Sequence, residues 1–303
     1  MAEDMATLLG GLAGLAGATG AATLGIAALR RPRPYLSTAH AIAGTQDADP
    51  LPEVLRFGLA GLTVPARPGP HGELFLGPGN PQPGRTLRRL VLAPLFARIR
   101  ARGGRLCRDQ RVPFRLVVEF TGPVRDAEML LRAYRMLDQQ LRDHAPLLSR
   151  SVAGELESGA VTVSIAGIVD VRELLAGQEQ RFAFAEGSFD DIGNPAAPPA
   201  LVPMVTEPWS RRFGWDGCEP IPAEERHQLH ALVRDAHDDG RTVRFTGLPG
   251  ASRAARRTMW HELLAAGVDA IADTDLAALA KSLRRPPVQR LPSKRSTYAP
   301  VQG

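Results

Sequence analysis

Two cysteines in 303 residues, Cys107 and Cys218, stand far apart with no Cys or His at zinc-ligand spacing beside them. A structural zinc cluster is thereby excluded, and a disulfide has no support. No glycine-rich nucleotide loop, nucleophile elbow or kinase signature occurs, which removes three large enzyme classes. Charge is missing altogether between Met5 and Leu29. That run is long enough to cross a bilayer. It ends at Arg30, Arg31 and Arg33, a basic flank that favours leaving the following domain on the cytoplasmic side. Gly10 with Gly14 and Ala13 with Gly17 give the small-residue spacing that lets membrane helices pack closely. The run is richer in Gly and Ala than in Leu, which weakens its transfer into lipid. Glu3 and Asp4 occupy the region that a signal peptide makes basic. The expectation is a membrane-associated chain with its main domain cytoplasmic, with exported and soluble cytoplasmic forms as alternatives.

What remains has a globular composition, 44% hydrophobic and 23% charged, which excludes a largely disordered chain. The net charge is +5, but the arginines are scattered through helical patterns among acids, so nucleic acid is not an expected partner. The length fits one α/β barrel of about 250 residues with an extension. Strand patterns fall at 35–40, 60–64, 114–120, 160–165, 181–186, 201–205, 242–245 and 268–272. The proline in 201–205 weakens that strand. Apolar residues at helical spacing mark helices at 50–58, 86–102, 126–141, 221–240, 253–266 and 275–283. The Pro- and Gly-rich stretch 65–84 reads as loop with a small hairpin arm over 72–76. Strands alternating with helices predict a (β/α)8 TIM barrel over residues 35–283, after a leader at 1–34 and before a mobile basic tail at 284–303.

Several blocks carry a family likeness: Leu116-Val-Val-Glu-Phe120, the stretch from Gly159 to Gly167, Trp209 through Gly217, Val243-Arg-Phe245, and the run from Gly267 to Leu276. With the hairpin arm, they resemble the PI-PLC-like phosphodiesterase superfamily of TIM barrels, which includes glycerophosphodiester phosphodiesterases. The layout is most similar to the branch that resembles altered-inheritance-of-mitochondria proteins. In such enzymes a histidine ending the first strand and another after the arm move protons, while carboxylates ending the second and third strands hold a divalent cation. The resemblance places His40 on the first histidine position and Glu119 on the third-strand acid. It finds no acid near Val64 or Ala66 and no histidine near Pro78, and Thr121 replaces the lysine beyond the third-strand acid. One carboxylate is a poor magnesium or calcium site, so no cofactor is expected.

The site residues expected are His40 and His71 as an acid–base pair, with Glu119, Arg244, Trp215 and Asp273 as ligand contacts. Arg244 has the planar donor array that suits a phosphate. His227, His230 and His237 read as solvated helix residues. Loss of several interdependent groups favours a degenerate phosphodiesterase-like barrel, non-catalytic or strongly impaired, that acts as a binding or assembly module. The alternatives are a divergent phosphoric diester hydrolase using His40, Glu119 and Arg244, and a subunit whose pocket a partner chain completes. A phosphate-bearing small molecule or lipid, a membrane and a protein partner remain open as partners.

Overall fold

The computed structural model of the chain describes residues 34–44, 49–77, 80–122, 127–167 and 171–284. The leader, the apolar run 5–29 and the tail from residue 285 lie outside the described residues, as does Pro78. The expected membrane association is corrected: among the described residues no helix is long and apolar enough to cross a membrane.

Eight parallel strands close into a barrel: β1 (Leu36–Ile42), β2 (Leu59–Pro68), β4 (Phe114–Phe120), β7 (Val161–Gly167), β9 (Phe184–Gly187), β10 (Met204–Pro208), β11 (Thr242–Thr246) and β12 (Ala270–Asp273). β12 pairs with β1 through Ala39↔Ile271 and His40↔Ala272, and this pairing completes the circle. β3 (Leu74–Leu76) folds back antiparallel on β2, so the arm is where the sequence places it. A second small sheet is formed by β5 (Arg150–Val152), β6 (Glu155–Glu157) and β8 (Gln180–Arg181), separate in its pairing from the barrel sheet.

The helices are α1 (Leu51–Phe57), α2 (Ala93–Arg100), α3 (Ala127–Arg142), α4 (Arg172–Ala176), α5 (Ala223–Asp238), α6 (Arg253–Ala265) and α7 (Leu276–Leu283). The helical pattern at 86–102 resolves into a π-helical turn, Arg88–Leu92, that continues into α2. Two strand expectations shift. The stretch 181–186 divides, because Arg181 pairs with Ser151 in the small sheet while Phe184 pairs with Ser164 in the barrel. The stretch 201–205 starts late: the amides of Leu201 and Val202 bond to the Pro198 carbonyl in a turn, and β10 begins at Met204.

The period of two in the strands decides which side chains see the helices and which see the barrel axis. Along β4, Phe114, Leu116, Val118 and Phe120 join the main hydrophobic core, while Arg115, Val117 and Glu119 alternate with them. Val117, Phe184, Met204, Ala270 and Ala272 are buried yet stand outside that core cluster. The barrel interior is therefore a second, smaller filling, and much of it is polar.

Candidate functional site

Barrel interiors are ordinarily packed with layers of Val, Ile and Leu. Here His40 of β1, Thr63 of β2, Glu186 of β9, Thr206 of β10 and Arg244 of β11 meet instead. Arg244 is the hub. Its Nη1 lies 2.7 Å from Thr63 Oγ1 and 3.1 Å from His40 Nε2, its Nε lies 3.0 Å from Thr206 Oγ1, and its Nη2 pairs with Glu186 Oε1. Thr206 donates to the same carboxylate oxygen at 2.8 Å. A cation with four partners, one of them a carboxylate, offsets the loss of water that burial imposes.

This network fixes the state of His40. Nε2 lies 2.8 Å from Thr63 Oγ1 and also faces Arg244, which can only donate, so Nε2 is the acceptor and the proton belongs on Nδ1. Nδ1 is buried without a hydrogen-bond partner among the described residues. Burial, then Arg244, then Arg115 hold the imidazole well below its ordinary value, so it is neutral. The room it occupies comes from Gly61, where a methyl group would overlap the ring.

His40 is 0% exposed, and it lies within its strand rather than ending it. Reaching a substrate through Nε2 would require breaking the Arg244 and Thr63 contacts. His71 does not join it: the side chain is exposed on the turn of the arm, with a left-handed backbone at φ 57°. Glu119 stands on the interior face of β4 near its C-terminal end, level with Pro65 and Ala166, and is exposed at that mouth. Trp215 is buried, donates Nε1–H to the Glu219 carbonyl at 2.6 Å, and stacks edge-on against Trp209. Trp209 and Phe213 in turn pack on Phe245, so these aromatics cover the outside of the barrel wall. Asp273 accepts from Trp260 Nε1 at 3.2 Å and from the Asp275 amide at 2.9 Å, which ties it to α6 and the start of α7. The structure therefore brings His40 and Arg244 together, leaves Glu119 on the rim, and takes His71, Trp215 and Asp273 elsewhere. His227, His230 and His237 are exposed on α5.

Thr63, Glu186 and Thr206 escaped sequence reasoning. Glu186 carried a usable signal, a carboxylate closing a strand pattern. The two threonines carried none, because threonine is a common strand residue.

The divalent cation that the resemblance implies does not fit these residues. Val64 and Ala66 are fully buried apolar residues, and no group of three metal-ligating side chains occurs among the described residues. Both cysteines are free.

The sequence matches no protein-family profile and no curated protein. Solved structures do match. A calcium-dependent phosphoinositol-specific phospholipase C from a Pseudomonas species aligns over 82% of this chain and 92% of its own, at 11% identity and a TM-score of 0.51. Glycerophosphodiester phosphodiesterases were also found. That of Agrobacterium tumefaciens aligns over 82% and 100% at 12% identity and TM-score 0.43. A putative one from Silicibacter pomeroyi aligns over 84% and 94% at 13% identity and TM-score 0.46. At such identities the likeness is one of fold alone, a closed (β/α)8 barrel.

Proposed function

We propose that the chain is a divergent phosphoric diester hydrolase of the glycerophosphodiester or phosphatidylinositol type, acting at the C-terminal mouth of the barrel. The observation that carries this reading is the cluster centred on Arg244. An inert barrel gains nothing from burying an ion pair, two hydroxyls and a neutral imidazole where apolar side chains would pack as well or better. Such arrangements are kept where chemistry uses them.

In this reading Arg244, paired with Glu186, supplies a fixed guanidinium beneath the mouth. The carboxylate of Glu119, open to solvent, accepts the proton of the attacking oxygen as the bond to phosphorus forms, and returns a proton to the leaving alcohol as the other P–O bond breaks. His40 is a positioning residue that sets the guanidinium through Nε2. No step is assigned to a metal. Kinship with the branch that resembles altered-inheritance-of-mitochondria proteins belongs to the same proposal and rests on the motif from Gly267 to Leu276.

The test is hydrolysis of glycerophosphodiester and phosphatidylinositol substrates by the full chain, with and without magnesium or calcium. Turnover should appear and fall at least about 100-fold in Glu119→Gln, whose exposed position leaves folding intact. Substrate binding without turnover would favour the binding-module reading, which draws support from the apolar Val64 and Ala66. Neither binding nor turnover would sink both.

A further inference from the structure

The opposite end of the barrel, where the strands begin, is also built from polar side chains. A cavity of about 220 Å³ opens there, lined by Arg115, Thr162, Ser164 and Thr242 from the strands and by Ser149 and Leu156 from the β5–β6 hairpin and its approach. This end of a (β/α)8 barrel ordinarily serves stability. Here the segment between α3 and β7 is extended into the hairpin, which walls the opening. Ser149 pins it, with its Oγ 2.7 Å from Thr162 Oγ1 and accepting from the Gly159 amide at 2.9 Å.

Arg115 is the unusual member. One of its N–H groups donates to the Ser37 carbonyl at 2.9 Å, and among the described residues it forms no ion pair. The acid nearest in effect is Asp269, also on the lining, but its Oδ2 already accepts from the Val243 amide at 2.9 Å and lies 2.8 Å from His237 Nε2. Burial disfavours the charged form of Arg115, Asp269 and Tyr35 oppose that effect, and Arg244 adds to it. Arg115 is half-buried, only partly offset by Asp269, and faces open space beside hydroxyl groups. The volume equals roughly seven waters at about 30 Å³ each, more than a bare ion fills. Leu156, one of two large apolar side chains exposed among the described residues, stands on the same lining at 41% exposure.

We infer that this cavity binds a small organic oxyanion, a phosphate monoester or a carboxylate. Arg115 is its counter-ion, Ser164 adds a hydroxyl from the lining, and Leu156 covers its carbon skeleton, while Thr242 Oγ1, 3.3 Å from the Pro203 carbonyl, and Thr162 Oγ1, bonded to Ser149, wall the site. The inference is independent of the reaction proposed for the other mouth. Titration calorimetry of the full chain with glycerol 3-phosphate, succinate and neutral glycerol tests it. One saturable site should appear for either anion, the two arms separating phosphate from carboxylate, and none for glycerol. Leu156→Glu, on an exposed position that leaves folding intact, and Arg115→Gln should each weaken binding at least about tenfold. No saturable binding of either anion would overturn the inference, and so would binding that Leu156→Glu leaves unchanged.

Discussion

Two arginines occupy one barrel interior under opposite conditions. Arg244, toward the C-terminal mouth, has a carboxylate, two hydroxyls and an imidazole around its guanidinium. Arg115, toward the N-terminal mouth, is half-buried, with one backbone carbonyl, a cavity and, beyond direct contact, the carboxylate of Asp269. The first is compensated by the protein itself; the second is left for something else to compensate. Burial alone therefore does not say what a charged side chain is for. The partners already present do, because the cost of desolvation must be met from within the fold or from a ligand.

Substitutions put this contrast to the test. The largest effect should come from Arg244→Met, which leaves the half-buried Glu186 without its cation and the His40–Thr63 cluster without its hub; chemical denaturation should register a loss of about 3 kcal/mol. Gly61→Ala presses a methyl group into His40 and displaces it from Arg244, and the same measurement should show about 2 kcal/mol lost. His40 supplies a pH signature. Its pKa in the fold is lowered, so the unfolded chain binds more protons below the ordinary imidazole value of about 6.5. Stability is then complete above about pH 6.5 and falls as the pH drops toward the folded value, by up to about 1.4 kcal/mol per unit. His40→Gln should flatten that slope in denaturation curves taken between about pH 5 and 7. The smallest effect belongs to Arg115→Met. Removing an unpaired cation strands no partner, so stability should change by less than about 1 kcal/mol, against the several lost at Arg244. Equal losses at the two arginines would erase the contrast.

Much of the fold was legible in the chain. The buried run from Phe114 to Phe120 coincides with β4, and the helix 253–266 with α6, because period and end signals agree there. The hairpin β5–β6 was not legible: strands of three residues carry too little pattern, and Glu155, Leu156 and Glu157 are all exposed. The membrane expectation came from the uncharged run 5–29 and its basic flank, outside the described residues, and met no supporting helix among those described.

For the site, local pattern picked out His40 and Arg244, since a histidine and an arginine inside strand patterns are conspicuous. It did not show that they touch, because 204 residues separate them and only closure of the barrel through β12 and β1 brings their strands round. The sequence by itself determined the alternation of strands and helices, the apolar second strand and the absence of family acids at Val64 and Ala66. Tertiary structure alone decided that His40 is sealed and neutral, that Glu186 and Thr206 complete the Arg244 network, and that Arg115 faces a cavity. Hydrophobic period is a local property of a segment, whereas the partners of a charge in a closed barrel depend on strand register around the whole ring.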